Sequence, residues 1–234
     1  MKKFINYAHR GASEYYPENT MLSFRKGLEM GANGIETDVH KTKDGVVVLF
    51  HDDTLDRVTG KSGSIADYTY AELLEFDVIK GEQKEKIPTF EEFLAEFGKK
   101  DITFAIELKV TGVAKETADI IYKYGVQDKV IITSFQYDAL VEMEECAPDL
   151  KRGYLLFHLD EKTRKEIENL DLYEICPNGQ SITAEEVKEY HEKGYGVRAW
   201  GMSNVEVMKE TIDKGVDGMT VNFPDKLTEY LKNK

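Results

Sequence analysis

The sequence predicts an α/β protein with a (β/α)₈ TIM-barrel fold, built as a single domain over residues 1–234. Short β-rich runs alternate with longer amphipathic runs along most of the chain, a pattern typical of parallel strands joined by helices. Several helical runs end in glycine, which closes helices in the left-handed conformation. A chain of 234 residues, 41% hydrophobic and 32% charged, can bury the core that such a barrel requires.

The predicted elements follow one another in a regular order. Strands are predicted at residues 4–9, 34–39, 102–108, 129–134, 152–157, 172–176, 196–201 and 217–222. Helices are predicted near residues 18–30, 89–98, 112–124, 137–146, 161–170, 183–193, 204–214 and 225–232. The glycines expected to end helices are Gly31, Gly125, Gly194 and Gly215. Strict alternation over eight such units argues for a closed barrel.

The alternation breaks over residues 40–88, which hold an extra strand at 46–51 and a polar stretch before Pro88. We interpret this segment as a small insertion after the second strand. In such barrels the loops that follow the strands form the catalytic face. The insertion is therefore expected on that face, as a lid or a wall for the substrate.

Two carboxylates and a histidine are predicted to meet on one hairpin. Asp44-Gly45 is a dipeptide favoured in two-residue turns, and β-rich runs flank it. Counting outward from this turn places Asp38 directly opposite His51, at a cross-strand distance of about 5 Å. Glu36 precedes Asp38 by two residues and so shares its face of the strand.

A third carboxylate and a cation follow on the next predicted strand, where Glu107 and Lys109 also share a face. Clustered carboxylates repel one another unless a cation lies between them. Ligand sets made only of oxygen suit Mg²⁺ or Ca²⁺ better than zinc or copper. The sequence therefore predicts one divalent metal ion, Mg²⁺ or Ca²⁺.

Composition argues against several classes of partner. A net charge of −13 opposes binding to nucleic acid and stable association with anionic membranes, which both need basic surfaces. Apolar runs of about 18 residues, as needed to span a bilayer, do not occur. The N-terminus lacks an apolar stretch of the length that an export leader needs, so we expect a cytoplasmic protein. Cys146 and Cys176 are in neither a redox nor a metal-ligand spacing, and core packing is expected for both.

Short motifs in a fixed order carry a family resemblance. They are His9-Arg10-Gly11, Pro17-Glu18-Asn19-Thr20, Glu36-x-Asp38, Asp44-Gly45, His51-Asp52, Arg57-x-Thr59, Ile87-Pro88-Thr89-Phe90, Glu107-x-Lys109, Ser134-Phe135, and Trp200 before Asn204. Over essentially its full length the chain resembles the glycerophosphodiester phosphodiesterases. The resemblance implies a TIM barrel with an insertion after strand two, a divalent metal, and hydrolysis of glycerophosphodiesters to sn-glycerol 3-phosphate and an alcohol.

The resemblance also implies roles for individual residues. These are metal binding for Glu36, Asp38 and Glu107, acid and base catalysis for His9 and His51, and phosphate binding for Arg10 and Lys109. Trp200, at the carboxyl end of a predicted barrel strand, is expected to form a pocket wall against the glycerol. The alternative is structural: the acids form a charge network closing the barrel end, and the two cations simply neutralise them.

The sequence also predicts positions or roles for several residues in and beside these motifs. Asn222 stands where the family usually has an aspartate, and we expect it on the rim, where it leaves the chemistry intact. The same is expected of Gly201-Met202-Ser203, which departs from the family's usual Thr-Val pair. Asn19 is expected to cap the first helix or to anchor the loop carrying Arg10. If the hairpin continues, Asp52 points to the opposite face from His51, so we expect it to cap or support its neighbours and not to bind the metal.

The expected reaction is a hydrolysis of substrates such as glycerophosphocholine and glycerophosphoethanolamine. One histidine would take the proton of the glycerol 2-hydroxyl while the other protonates the departing alcohol. The resulting cyclic phosphate would then be opened by water. The alternatives are a lysophospholipase D-like enzyme acting on lipids, which needs an exposed apolar rim, and a binding-only barrel. The sequence allows a homodimer but locates no surface for it.

Overall fold

A computed structural model describes residues 4–234. The strands are β1 (Ile5–His9), β2 (Gly34–Lys41), β3 (Val47–Leu49), β4 (Val78–Lys80), β5 (Gln83–Glu85), β6 (Thr103–Leu108), β7 (Val130–Ser134), β8 (Lys151–Leu156), β9 (Glu174–Pro177), β10 (Gly196–Ala199) and β11 (Gly218–Val221). The helices are α1 (Met21–Glu29), α2 (Asp56–Thr59), α3 (Tyr70–Leu73), α4 (Phe90–Phe97), α5 (Ala114–Tyr124), α6 (Tyr137–Cys146), α7 (Glu161–Glu168), α8 (Ala184–Glu192), α9 (Val205–Asp213) and α10 (Pro224–Asn233).

Within residues 4–234, eight parallel strands close into a barrel. Their order is β1, β11, β10, β9, β8, β7, β6 and β2, and β2 pairs with β1 to complete the ring. A helix lies between each barrel strand and the next. The predicted (β/α)₈ TIM-barrel fold is therefore confirmed.

Local sequence signals fix most helix ends. Thr89 caps α4 with a reciprocal capping box to Glu92, which satisfies backbone N–H groups that have no partner within the helix. The glycines predicted to end helices all have positive φ, Gly125 among them at 64°. Helix α1 begins at Met21 instead of residue 18, because Thr20 is its cap and Asn19 has φ 54°.

Two apolar clusters pack the helices against the outer face of the barrel strands. One cluster joins α1, α4, α5 and α6 to the strands facing them, and Phe24, Phe93 and Phe104 meet there edge to face. A second cluster fills the opposite half and includes Ile175, Met208 and Met219. Burial of these apolar faces is the main favourable contribution to folding. The helices therefore hold the strand ends, and the side chains on them, in fixed positions.

The segment between β2 and α4 has a small core of its own. Its buried side chains include Leu55, Ile65, Leu73 and Ile87, with Val48 on β3. β3 runs antiparallel to β2, and β4 pairs with β5 in a separate hairpin. These contacts give the segment a defined shape above the carboxyl end of β2.

The predicted register of the β2–β3 hairpin is wrong by one residue. Val39 pairs with Leu49, and the Phe50 N–H donates to the Asp38 carbonyl, so Phe50 and not His51 lies opposite Asp38. The loop is wider than a two-residue turn because Thr42 N–H donates to Val46 O. The Thr42 hydroxyl bonds Val46 N–H and the Asp44 carboxylate, which stabilises this three-residue loop.

Over the described range, no helix combines the length and the apolar composition that crossing a bilayer requires.

Candidate active site

A cavity of about 580 Å³ opens at the carboxyl ends of the barrel strands. The predicted site residues that line it are His9, Arg10, Glu36, His51, Glu107, Lys109 and Trp200. Asp38 lies beneath them and is fully buried. Since β1, β2 and β6 are neighbours in the barrel, residues distant in sequence meet at one rim.

The three predicted acids form one buried cluster. Oxygen atoms of Glu36, Asp38 and Glu107 lie within 4.8 Å of one another. Asp38 on β2 is in register with Glu107 on β6, and Glu36 lies on the same face of β2 as Asp38. Burial and the charges of its two neighbours raise the pKa of Glu36, and burial with the Asp38 charge raises the pKa of Glu107 to about 7.

Asp38 is the member of the cluster that stays ionised. Burial opposes its ionisation, but the Arg10, His51 and Lys109 side chains outweigh that effect and lower the pKa of Asp38. Arg10 Nε lies 3.2 Å from Asp38 Oδ2, and Lys109 Nζ lies 3.9 Å from Oδ1. Asn19 Nδ2 donates to Oδ2 at 2.8 Å.

These acids fit a hard divalent cation. Asp38 Oδ1 is buried and accepts no hydrogen bond from the residues that the structure describes. A buried oxygen left without a donor is rare in proteins unless an ion or water satisfies it. The donor set consists of carboxylate oxygens, which Mg²⁺ and Ca²⁺ prefer. Burial, and then the neighbouring acidic charges, raise the pKa of Glu36 and Glu107, and a bound cation would offset the second of these effects.

His9 faces this cluster across the cavity floor. Its Nε2 lies 3.8 Å from Glu36 Oε2, and its Nδ1 lies 2.5 Å from Asn222 Oδ1. Because an amide oxygen only accepts hydrogen bonds, Nδ1 carries the proton and Nε2 is left free. Burial and the Arg10 charge lower the pKa of His9 to about 3. The expectation that Asn222 lies on the rim without touching the chemistry is wrong, since it orients the His9 ring.

His51 enters the cavity from the insertion, just beyond β3. Its Nδ1 lies 2.6 Å from Asp52 Oδ1, which fixes the proton on Nδ1 and leaves Nε2 free, as in His9. Burial lowers the pKa of His51. The strand ends at Leu49, so the alternation of faces no longer applies and Asp52 does not lie on the opposite face from His51. Its bond to His51 Nδ1 agrees with the expected supporting role.

Arg10 and Lys109 supply positive charge on the same side of the cavity. Arg10 Nη1 donates to Glu18 Oε1 at 3.0 Å, and Lys109 Nζ donates to Glu107 Oε1 at 2.6 Å. Asp38 and other acids raise the pKa of both cations against the effect of burial. Arg10 has φ 53°, a strained backbone conformation for a residue other than glycine. Asn19 N–H donates to the Arg10 carbonyl and so anchors this loop.

An aromatic wall closes the far side of the cavity. Trp200 contacts Phe135 and Phe157 edge to face, with ring centroids 5.0 and 5.1 Å apart, and its Nε1 donates to Cys176 O. The two phenylalanines stack on each other at 4.5 Å. Sequence reasoning gave Phe157 no role, although its position directly after β8 places it on the catalytic face.

Below the cavity, an arginine and a glutamate pair inside the barrel. Arg198 Nε donates to Glu174 Oε1 at 2.7 Å, and both side chains are buried. Arg198 also bonds the Thr220 hydroxyl. Gly201-Met202-Ser203 lines the cavity, so this departure from the family lies where a bound molecule would touch it.

Comparisons with known proteins agree with this geometry. Residues 9–226 match the model of the glycerophosphoryl diester phosphodiesterase family. The chain is 34% identical to a glycerophosphodiester phosphodiesterase of Caldanaerobacter subterraneus, covering 98% of each protein. It is 31% identical to one from Bacillus altitudinis, covering 97% of this chain and 98% of that one.

Solved structures give the same result. An Oleispira antarctica phosphodiesterase in complex with the product sn-glycerol-3-phosphate has a TM-score of 0.88 and 27% identity to this chain, covering 97% of it and 96% of the other. The resemblance inferred from the motifs is confirmed, and with it the expectation of a phosphodiesterase hydrolase. The chain belongs to the glycerophosphoryl diester phosphodiesterase family.

Proposed function

We propose that this protein hydrolyses water-soluble glycerophosphodiesters to sn-glycerol 3-phosphate and an alcohol, using one divalent metal ion. The observation that carries the proposal is a buried cluster of three carboxylates facing two histidines with free Nε2 atoms in one cavity. The product named for the Oleispira antarctica relative is the one that this reaction would release.

Glu36, Asp38 and Glu107 would hold the Mg²⁺ or Ca²⁺ ion. When bound, such an ion supplies positive charge to phosphate oxygens, which otherwise repel a nucleophile. Arg10 and Lys109 would bind the phosphate from the same side, since both remain charged and line the cavity. Their arrangement concentrates positive charge where a phosphodiester would lie.

The histidines would move the protons. One would take the proton of the glycerol 2-hydroxyl, whose oxygen then attacks phosphorus, while the other protonates the departing alcohol oxygen. Water would open the resulting cyclic phosphate with the two roles exchanged. Burial and the Arg10 charge lower the pKa of His9 to about 3, so its neutral ring would offer a free Nε2 as the base. His51, whose Nδ1 proton is held by the Asp52 carboxylate, would have to carry a second proton on Nε2 to act as the acid.

The aromatic wall would bind the glycerol end of the substrate. Trp200 and its two neighbours present apolar surface to the carbon chain, opposite the charged side of the cavity. The insertion over residues 40–88 would serve as the other wall, since it contributes His51. Few contacts would then remain for the alcohol, so we expect both glycerophosphocholine and glycerophosphoethanolamine to be accepted.

A lysophospholipase D-like activity on lipids is the second candidate. Phe157 at the cavity mouth is 58% exposed, as an entrance for an acyl chain would require. Lysophosphatidylcholine and glycerophosphocholine share the glycerol, the phosphate and the choline. They differ in the acyl chain that lysophosphatidylcholine carries on its glycerol. Comparing them tests which one the site takes.

The test measures phosphodiester cleavage by the purified protein on both compounds and on a glycerophosphodiester analogue lacking the 2-hydroxyl. The proposal predicts rapid cleavage of glycerophosphocholine, slow cleavage of lysophosphatidylcholine vesicles and no cleavage of the 2-deoxy analogue. Faster turnover of the vesicles would favour the lipid activity. Equal rates for the parent and the 2-deoxy compound would exclude the cyclic intermediate.

A further inference from the structure

Arg57, on α2 of the insertion, joins two carboxylates that belong to different segments of the chain, the insertion and the loop between β1 and α1. Its Nε donates to Asp52 Oδ2 at 2.6 Å and its Nη2 to Asp52 Oδ1 at 2.9 Å. The same guanidinium donates through Nη1 and Nη2 to both oxygens of Glu18, at 2.8 and 2.6 Å. One planar group therefore holds two carboxylates in a fixed relative geometry, as an arginine fork can and a lysine cannot.

Each of these carboxylates bonds a residue that lines the cavity. Asp52 accepts from His51 Nδ1 at 2.6 Å, and Glu18 accepts from Arg10 Nη1 at 3.0 Å. A continuous chain of hydrogen bonds thus runs from His51 through Arg57 to Arg10. It connects the insertion to the loop between β1 and α1, which are 39 residues apart at the Glu18–Arg57 contact.

The charges in this chain are balanced by Arg57 itself. Glu18, His51 and Asp52 have ligand atoms within 4.8 Å of one another, close enough to hold a metal ion. The guanidinium already bonds both carboxylates, so the compensating charge at this point is Arg57. Carboxylates held this way stay ionised: burial opposes the effect, but the Arg57 bonds outweigh it and lower the pKa of Asp52 to about 2.

We propose that Arg57 is a positioning residue, which holds the His51 imidazole and the Arg10 guanidinium in a fixed relative position without touching the substrate. The proposal rests on the function proposed above. Removing Arg57 would leave the Asp52 carboxylate without a cation and Glu18 with Arg10 alone. Asp52 would then no longer hold the His51 ring in place, and the Glu18–Arg10 pair would lose its link to the insertion, while the barrel beneath stays folded.

The test compares Arg57→Ala with a matched control, Arg25→Ala. Arg25 also forms a bidentate pair with a carboxylate, that of Glu96, and its side chain is 52% exposed against 50% for Arg57. Residues that orient catalytic groups through hydrogen bonds typically cost on the order of 10- to 100-fold in activity when removed. We expect a loss of that size in kcat for Arg57→Ala, a smaller change in KM, and wild-type kinetics for Arg25→Ala.

Chemical rescue separates positioning from a general loss of structure. Because Arg57 is half exposed, millimolar guanidinium chloride can reach the space that Arg57→Ala opens. We expect guanidinium to restore part of the lost kcat, and urea, a neutral molecule of similar shape, or an equal concentration of NaCl to restore none. Wild-type kcat in Arg57→Ala, or a loss that guanidinium leaves unchanged, overturns the proposal.

A second readout does not depend on the substrate. Amide hydrogen exchange over residues 50–60 is expected to accelerate in Arg57→Ala and to stay as in the wild type in Arg25→Ala. If the wild-type protein releases no glycerol 3-phosphate, the proposed function fails, and the exchange experiment still decides whether Arg57 holds this segment. Unchanged exchange in Arg57→Ala would contradict the positioning role.

Discussion

Three buried carboxylates share the cavity with two cations, and one of these cations also pairs with a fourth acid. Arg10 is shared between Asp38 and Glu18, and Lys109 is bonded to Glu107. Buried like charges destabilise a fold unless they are compensated. The local imbalance is therefore a stability cost that a bound divalent cation would remove.

Glu36→Gln should separate stability from function. The substitution keeps the size of the side chain and removes one charge from the cluster, so in the presence of a chelator we expect a higher Tm than in the wild type. For a chain of this length each kcal/mol gained raises Tm by about 2–4 °C. We expect phosphodiesterase activity to fall by about 100-fold or more, because charge stabilisation worth several kcal/mol is lost.

Calorimetry with and without Mg²⁺ measures the effect of Glu36→Gln on Tm. The wild type should gain more stability from the ion than Glu36→Gln does, since its cluster has more repulsion to relieve. A lower Tm for the variant in chelator would contradict the account of the charge imbalance.

At this scale the sequence predicted residue types better than contacts. Glu36, Asp38 and Glu107 were found from spacing alone because strands bring alternate residues to one face, whereas His9 was found from the family motifs. The partner of His9 was not found, since Asn222 is 213 residues away and meets it only when β11 closes against β1. Asn19 was given two roles, and the structure supports the anchoring one, because Thr20 caps α1.

Among the elements, strands and helices were predictable but the hairpin register was not. Alternating periodicity and glycine caps are local signals, and they were enough for the barrel order. The register depends on hydrogen bonds at the loop, where Asp44 accepts from both the Thr42 hydroxyl and the Tyr70 N–H. A bond that involves Tyr70 cannot be read from the dipeptide Asp44-Gly45.

The loop between β1 and α1 depends on Gly11. Its φ is 82°, and a Cβ there would lie 2.4 Å from the backbone carbonyl carbon of Ser23. Gly11→Ala is expected to destabilise the protein by about 2 kcal/mol or more, from backbone strain and from this clash. Gly45→Ala is the control, because Gly45 has φ 85° but no atom within 4 Å of the added carbon.

Urea unfolding of the two variants measures the difference. Gly45→Ala should lose only the strain, about 1 kcal/mol. Equal losses for the two variants would show that the contact with Ser23 does not limit this loop.

For the whole molecule, burial of the acid cluster makes stability depend on pH. Glu107 faces Asp38 and Glu36 from β2, Arg10 from the end of β1 and Lys109 from its own chain. Burial and the Asp38 charge raise its pKa from 4.5 to about 7. The stabilisation that protonated Glu107 contributes is complete at pH values below its pKa in the unfolded chain. It is lost as the pH rises through the pKa of Glu107 in the folded protein.

In chelator, we therefore expect the Tm of the wild type to fall between about pH 4.5 and pH 7 through this group. Added Mg²⁺ or Ca²⁺ should remove the dependence, because bound cations favour the ionised carboxylates. Glu107→Gln should show a flatter profile in chelator. A wild-type Tm that rises over this range would argue against the raised pKa.

The overall architecture was the most predictable feature, since each unit of strand and helix carries its own pattern and eight units of this kind permit few alternatives. What remained hidden is how the insertion meets the barrel. That contact is made by Arg57 and Glu18, two charged residues whose pairing no periodicity indicates.

The central claim is that the carboxylate cluster and the two histidines act as one metal-dependent phosphodiesterase site. Release of glycerol 3-phosphate from glycerophosphocholine, measured with Mg²⁺, with Ca²⁺ and with a chelator for the wild type and for His9→Ala, tests it most directly. We predict release that requires a metal ion and falls by about 100-fold or more in His9→Ala. Release that persists in chelator, or that His9→Ala leaves intact, would contradict the account.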